Sequence, residues 1–229
     1  MQDAPIIRLR DVTKTYLMGT VMVHALRSVT IEFHRGEYVS IMGPSGCGKS
    51  TLLNLLGCLD RPTSGTYELG GRDLARLDDD LLSEIRGARL GFIFQSYNLI
   101  AQLTVVENIM VPLYYQGLPE RESLTVASRL AERVGLTERL NHRPTELSGG
   151  QQQRVAIARA LANDPLVILA DEPTGNLDST SGKEILDVFD DLHRQGKTLI
   201  TVTHDESIAA RTMRVVRLSD GEVVSDVWN

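Results

Sequence analysis

A chain of 229 residues with 42% hydrophobic and 24% charged side chains can bury a substantial core, which excludes a disordered polypeptide. Its 24 Lys and Arg against 30 Asp and Glu leave a net charge of -6, which argues against nucleic acid as a partner held on a broadly basic surface but leaves room for a local anion site. Cys47 and Cys58 are too few for a disulfide framework or a cysteine metal cluster and fit a reducing, cytosolic compartment. The first residues carry no apolar signal core, and no apolar run reaches the roughly 18–20 residues that a membrane span needs, so no direct span is expected.

Short β-branched runs at 6–9, 24–26 and 29–33, and a run at 64–69 leading into Gly70-Gly71, predict an N-terminal antiparallel β region. Residues 37–42 form a compact apolar strand that ends at a glycine-rich loop, and 51–59 suit a helix. Further strands at 90–94, 166–170 and 198–203 are apolar enough to be buried on both faces, so the core is expected to be a mainly parallel α/β sheet. Residues 74–143 read as a helical insertion, with Asp78 to Asp80 opening one helix and Pro119-Glu120 another. Ser148 caps an alanine-rich helix to about Ala162, another helix covers 181–195, and Asp220-Gly221 marks a hairpin. No repeat or linker divides the chain, so residues 1–229 read as one domain carrying the helical insertion.

Residues 43–50 read Gly-Pro-Ser-Gly-Cys-Gly-Lys-Ser, the phosphate-loop (P-loop, Walker A) pattern. Its glycines let successive amide N–H groups converge on one point, and the following helix aims its positive end there. Lys49 adds a point charge for terminal phosphates, and Ser50 can place a hydroxyl on Mg2+. The expected nucleotide contacts are Gly43, Ser45, Gly46, Cys47, Gly48, Lys49, Ser50 and Thr51. Cys47, at a helix start beside Lys49, is expected to be a reactive thiol that bound nucleotide shields, unless it is only a tolerated small residue. The apolar run 167–170 delivers Asp171 and Glu172 at a strand's C-terminal edge, where α/β sheets bind ligands. Alternation along a strand would point Asp171 at the metal and Glu172 at the attacking water, with Glu172 as general base. Residues 147–151, Leu-Ser-Gly-Gly-Gln, place a second anion-ready helix start without a lysine, which makes sense if its other half comes from elsewhere.

With that segment in place, the chain resembles the ATP-binding subunits of ABC transporters over essentially its whole length. The resemblance implies the P-loop NTPase fold of the ABC ATPases, a mainly parallel core sheet with an antiparallel β subdomain and a helical subdomain. It implies that Tyr16 stacks on adenine, that Gln95 reaches the magnesium and attacking water, and that His204 is the switch histidine contacting the terminal phosphate. Asn176 and Asp178 would lie in a dimer-contact loop. The implied cofactors are ATP and Mg2+, with Ser50, Gln95 and Asp171 at the metal. Ser148, Gly149, Gly150 and Gln151 of one copy would cover the ATP held on Lys49 and Ser50 of the other, giving a homodimer that ATP closes and hydrolysis opens. His24, His34, His142 and His193 match no motif and read as surface or packing residues.

Stretches 57–65, 91–99 and 175–178, with the insert 17–24 after Tyr16, resemble the MacB and LolD exporter branch more than the FtsE cell-division relatives. That branch implies a hydrophobic, peptide or lipoprotein-type substrate and a membrane permease, either a separate polypeptide or the remainder of a longer chain. The ATPase would then be peripheral on the cytoplasmic face of the inner membrane. The alternatives are an FtsE-like regulator of a membrane partner and a soluble non-transport ABC ATPase. Tyr97, Asn98, Leu99, Tyr114 and Tyr115 are expected either to line a groove for a permease helix or to form the helical subdomain's core.

Overall fold

The structure is a computed structural model that describes residues 4–75 and 77–229. Strands β1 (Ile7–Met18) and β2 (Val21–Phe33) form a long antiparallel hairpin, so the insert at 17–24 is the tip of this hairpin. Strand β3 (Tyr38–Met42) is buried at every position and leads through the glycine-rich loop into helix α1 (Lys49–Leu56). Strands β4 (Ser64–Leu69) and β5 (Arg72–Asp73) complete the antiparallel region that the sequence predicts, a sheet in the order β2-β1-β4-β5.

Helix α2 (Asp79–Arg89), capped by the Asp78 carboxylate on the Leu81 N–H, precedes strand β6 (Leu90–Ile93). Helices α3 (Val105–Tyr115) and α4 (Glu120–Arg133) follow, then α5 (Gly149–Leu161), strand β7 (Val167–Asp171), helix α6 (Ser179–Arg194), strand β8 (Leu199–Val202) and the short helix α7 (Glu206–Ala209). The chain closes with the hairpin of β9 (Arg214–Ser219) and β10 (Glu222–Trp228). The second sheet runs β10-β9-β3-β8-β7-β6; every neighbouring pair from β9 to β6 is parallel, and β10 is an antiparallel edge.

Helix α1 is buried between the sheets. Its Leu52, Leu53, Leu55 and Leu56 pack in one core with Ile7, Leu9 and Phe33 of the antiparallel sheet and Val39, Leu169 and Ile200 of the parallel one. Each fully buried leucine contributes about 1.5–3 kcal/mol, so the element that follows the phosphate loop is anchored along its length. A second core joins α3, α4, α5 and α6 to the other side of the parallel sheet through Val105, Ile109, Leu130, Ile157 and Phe189. Strand β6 falls inside the 74–143 stretch yet pairs with β7, and Leu82 of α2 belongs to the first core. The part of that stretch that departs from the sheet core is therefore the helical layer of α3 and α4. Its first helix opens on a Thr104-x-x-Glu107 capping box, in which the Glu107 N–H donates to the Thr104 hydroxyl and the Glu107 carboxylate accepts the Thr104 N–H.

Candidate phosphate-binding and catalytic site

The loop after β3 is fixed by contacts that only glycine allows. Gly43 has φ 152°, and a Cβ there would stand 2.2 Å from the Leu218 carbonyl oxygen; at Gly48, φ 105°, it would stand 2.5 Å from that of Ala25. Gly48 also starts α1 without any side-chain cap, so no side chain among the described residues claims the helix's first amides. Lys49 folds back over the loop, its Nζ donating to the carbonyls of Gly43 at 2.7 Å and Pro44 at 2.9 Å.

These groups border a cavity of about 710 Å³ whose floor includes Ser45, Gly46, Ser50 and Thr51 and whose far side carries Asp171, Glu172 and His204. Asp171 ends β7 half-buried; burial and the neighbouring Glu172 charge push its carboxyl above the usual range, while Lys49 pulls the other way. Its carboxylate accepts no side-chain or backbone hydrogen bond among the described residues. Glu172 does not alternate with Asp171 along a strand as expected. The strand stops at Asp171, and Glu172 adopts a left-handed backbone with φ 42°, which turns it back to the same cavity. Such a conformation costs a non-glycine residue on the order of 1–3 kcal/mol and is held here by surrounding bonds. The Glu172 N–H donates to the Val202 carbonyl at 2.9 Å, and its own carbonyl accepts from Gly175 at 3.0 Å. The Glu172 carboxylate accepts the Thr203 hydroxyl at 3.1 Å and His204 Nδ1–H at 2.7 Å; the glutamate side chain is 18% exposed and the histidine 76%.

Other expected site residues lie elsewhere. The Tyr16 hydroxyl donates to Asp60 Oδ2 at 2.7 Å, and the ring is not part of the cavity wall. Gln95 faces the loop after β7 instead of Ser50: its Nε2 donates to Asn176 Oδ1 at 3.3 Å, and Asn176 Nδ2 donates to the Gln95 carbonyl at 3.0 Å. Asp178 caps α6, accepting from the Thr180 and Ser181 N–H groups, and these bonds from Ser181 hold its carboxyl below the usual range. Ser148 caps α5 with Gln151 in a reciprocal box, Gly149 lies against Tyr97 and Leu177, Gly150 lies against Ser181, and none of these residues borders the cavity. Cys47 corrects the expectation of a reactive thiol. It is 5% exposed, its Sγ is packed under Gly43, and it belongs to the apolar core, so reagents in the cavity do not reach it.

Sequence reasoning missed four contributors. His24, read as a bland residue, lines the cavity with Val23 and Ala25 on β2, whose backbone at Ala25 lies against Gly48 of the loop. Thr203 fixes Glu172, and Asp60 with Lys14 holds Tyr16. On the helical layer, Tyr114 and Tyr115 are 77% and 83% exposed and line a second cavity of about 530 Å³ with Ile100, Leu103, Met110 and Leu118. Leu99 packs into the second core, while the Tyr97 and Asn98 carbonyls accept from the Arg159 guanidinium at 2.8 and 2.6 Å. Of the five expected groove residues, only the two exposed tyrosines face this cavity.

Comparison with known proteins places this arrangement. Residues 26–175 match the ABC transporter family. The chain is 54% identical over 218 residues to an uncharacterized ABC transporter ATP-binding protein of Thermotoga maritima, covering 95% of this chain and 93% of that one. It is 51% identical to the macrolide export ATP-binding/permease protein MacB of Hyphomonas neptunium and 51% identical to the pyoverdine export ATP-binding/permease protein PvdT of Pseudomonas aeruginosa, but spans only 35% and 34% of their lengths. A dimeric ATP-binding cassette solved in a post-hydrolysis state with ADP and Pi matches with TM-score 0.89 and 46% identity over 97% of this chain and 98% of that one. With a phosphate loop, paired carboxylates and a separate serine-capped helix start on this fold, the chain belongs to the ABC transporter family, as an ATP-binding and ATP-hydrolysing cassette.

Proposed function

We propose that the 710 Å³ cavity holds ATP with Mg2+ and is completed by Ser148 and Gly150 of a second copy, so that ATP binding closes a head-to-tail homodimer. The observation that carries this reading is that Lys49, Ser50, Asp171, Glu172 and His204 border one cavity while the Ser148 helix start lies outside it. Asp171, half-buried and without a hydrogen-bond donor among the described residues, fits a divalent cation in its charge and its lack of partners, and Ser50 stands on the same cavity. Magnesium bound there would neutralise charge on the terminal phosphates. Lys49 exchanges the Gly43 and Pro44 carbonyls for phosphate oxygens. Gln95 serves the metal only by leaving Asn176. Glu172, oriented by Thr203 and His204, accepts the proton of the attacking water. His204 spends Nδ1 on Glu172, which leaves Nε2 for the terminal phosphate. Ser148 Oγ accepts the Gln151 N–H as a cap, which leaves its own proton to donate across the dimer. Glu172→Gln is expected to lower turnover by about 10²–10⁴-fold while dimers accumulate with ATP in size-exclusion chromatography. Unchanged turnover removes Glu172 as the base.

The cassette is further proposed to act from the cytoplasmic face and to drive export through a membrane permease, a reading supported by the MacB and PvdT relatives, which are named as export ATP-binding/permease proteins. The groove between α3 and α4, apolar with Tyr114 and Tyr115 at its lip, supports a helix of the permease as its occupant. The Tyr114→Ser/Tyr115→Ser double variant is expected to lose copurification with a membrane protein while keeping ATP affinity. Equal copurification places the permease contact elsewhere, and a chain that never copurifies with a membrane protein favours the non-transport alternative.

A further inference from the structure

The conspicuous segment 57–65 takes no part in the site described above, yet it carries the group that holds Tyr16. Asp60 lies just beyond α1 and gathers three donors: the Tyr16 hydroxyl on Oδ2 at 2.7 Å, and Lys14 Nζ at 2.5 Å and the Arg61 N–H at 2.7 Å on Oδ1. Lys14 Nζ also donates to the Arg61 carbonyl at 2.8 Å and sits 4.8 Å from the centre of the Tyr16 ring. The ring is thus fastened at its hydroxyl to the turn that follows the helix whose start forms the phosphate loop, a turn tied back to that helix by the Asp60 N–H on the Asn54 carbonyl, and one of its faces carries a cation. Burial pushes the Asp60 carboxyl up, but the bonds from Lys14, Tyr16 and the Arg61 N–H outweigh it and hold it below the usual range, so it is ionised near neutrality.

An unrestrained tyrosine samples several rotamers and loses that freedom when a ligand stacks on it. Asp60 and Lys14 remove the freedom in advance and, by placing the ammonium over one face, leave a single face for stacking. We propose that Asp60, acting with Lys14, is a positioning residue that presets the Tyr16 ring for the nucleotide's base, so that α1 registers the phosphates at its first turn and the base through the turn that follows it. This rests on Tyr16, the cross-strand partner of the cavity-lining Val23, being the base platform.

The test is equilibrium binding of ATP and of inorganic tripolyphosphate, which has no base, to the full chain. Asp60→Ala and Tyr16→Phe are expected to weaken ATP binding by about threefold to tenfold with tripolyphosphate unaffected, raising KM for ATP with kcat unchanged. Asp60→Asn, which keeps an acceptor for the phenol, is expected to restore part of the loss, and Asp60→Ala should add nothing in a Tyr16→Ala background. If Asp60→Ala folds poorly, Tyr16→Phe still breaks the same bond from its other end. Equal losses for both ligands would make Asp60 a support for α1 and overturn the proposal. A neutral Asp60→Ala beside a damaging Tyr16→Ala overturns it while sparing the platform, whereas a neutral Tyr16→Ala overturns both.

Discussion

Helix α1 starts behind Gly48 with no side-chain cap, whereas α5 starts behind Ser148 with both halves of a capping box. Each start is rich in glycine and each could receive an anion, but their donors are committed differently. At α1 the first amides are claimed by no side chain, and the glycines at 43 and 48 hold the loop in backbone shapes and close contacts closed to other residues. At α5 the Ser148 hydroxyl and the Gln151 side chain satisfy one another's amides, a cap typically worth about 1 kcal/mol. A start that satisfies itself suits a helix that waits exposed for a partner's nucleotide, because it stays formed when nothing is bound. A start left open suits the permanent half of the site, because the ligand supplies the missing acceptor. In the proposed head-to-tail dimer, the difference suits α1 to binding and α5 to sensing the bound nucleotide.

The sharpest way to break this comparison is to disable the two starts in separate copies. Lys49→Ala removes the charge that the open start lacks elsewhere, and ATP affinity is expected to fall by about 10- to 100-fold, the usual loss for hydrogen bonds to charged groups. Ser148→Asp keeps a good helix cap, so the folded chain should stay within about 0.5 kcal/mol of the parent, but it places a carboxylate against the phosphates of the other copy. Each variant alone should hydrolyse almost nothing. Mixed in equal amounts, half of the dimers are heterodimers with one intact site of two, so activity should recover to about a quarter of the parent's if the site is shared across a head-to-tail pair. No recovery at any mixing ratio would mean that both starts act within one chain.

The residues of this contrast were readable in advance because they sit in short contiguous stretches whose backbone geometry is local. Lys49 and Ser50 follow glycines that fix the loop, and Ser148 precedes its own capping partner by three positions. Where geometry was not local, the sequence was silent or misleading. Glu172 was placed by strand alternation, but the chain leaves the strand at that residue and its left-handed turn depends on Val202 and Gly175. Cys47 reads as exposed from its neighbours in sequence, yet side-chain direction at a helix start is set by what packs beneath it. His24 reaches the cavity through the register of β2, and Asp60 meets Tyr16 across 44 residues, a pairing no motif carries. Gln95 was placed by resemblance alone, and here it pairs with Asn176.

A smaller effect probes the acidic wall opposite the open start. The Asp171 proton is held more tightly in the folded chain than in an exposed carboxyl, because burial and the Glu172 charge both oppose ionisation and Lys49 offsets only part of this. A carboxyl raised in this way contributes stability below the usual carboxylate range and loses it as pH rises through its own, higher pKa. At neutral pH the ionised Asp171 therefore destabilises the nucleotide-free chain. Asp171→Asn removes that charge at nearly the same size, so without nucleotide the variant should melt above the parent at pH 7, by about 2–4 °C for each kcal/mol recovered. The difference should shrink as pH falls to the acid side of the carboxylate range, where the parent is protonated too. Adding ATP and Mg2+ should reverse the order, because the parent gains binding free energy that the variant has lost. Thermal melts across pH, with and without nucleotide, check both signs. If Asp171→Asn brings no gain at pH 7, the acidic wall is already balanced by Lys49, and the open start of α1 would then be held by its own wall before any phosphate arrives.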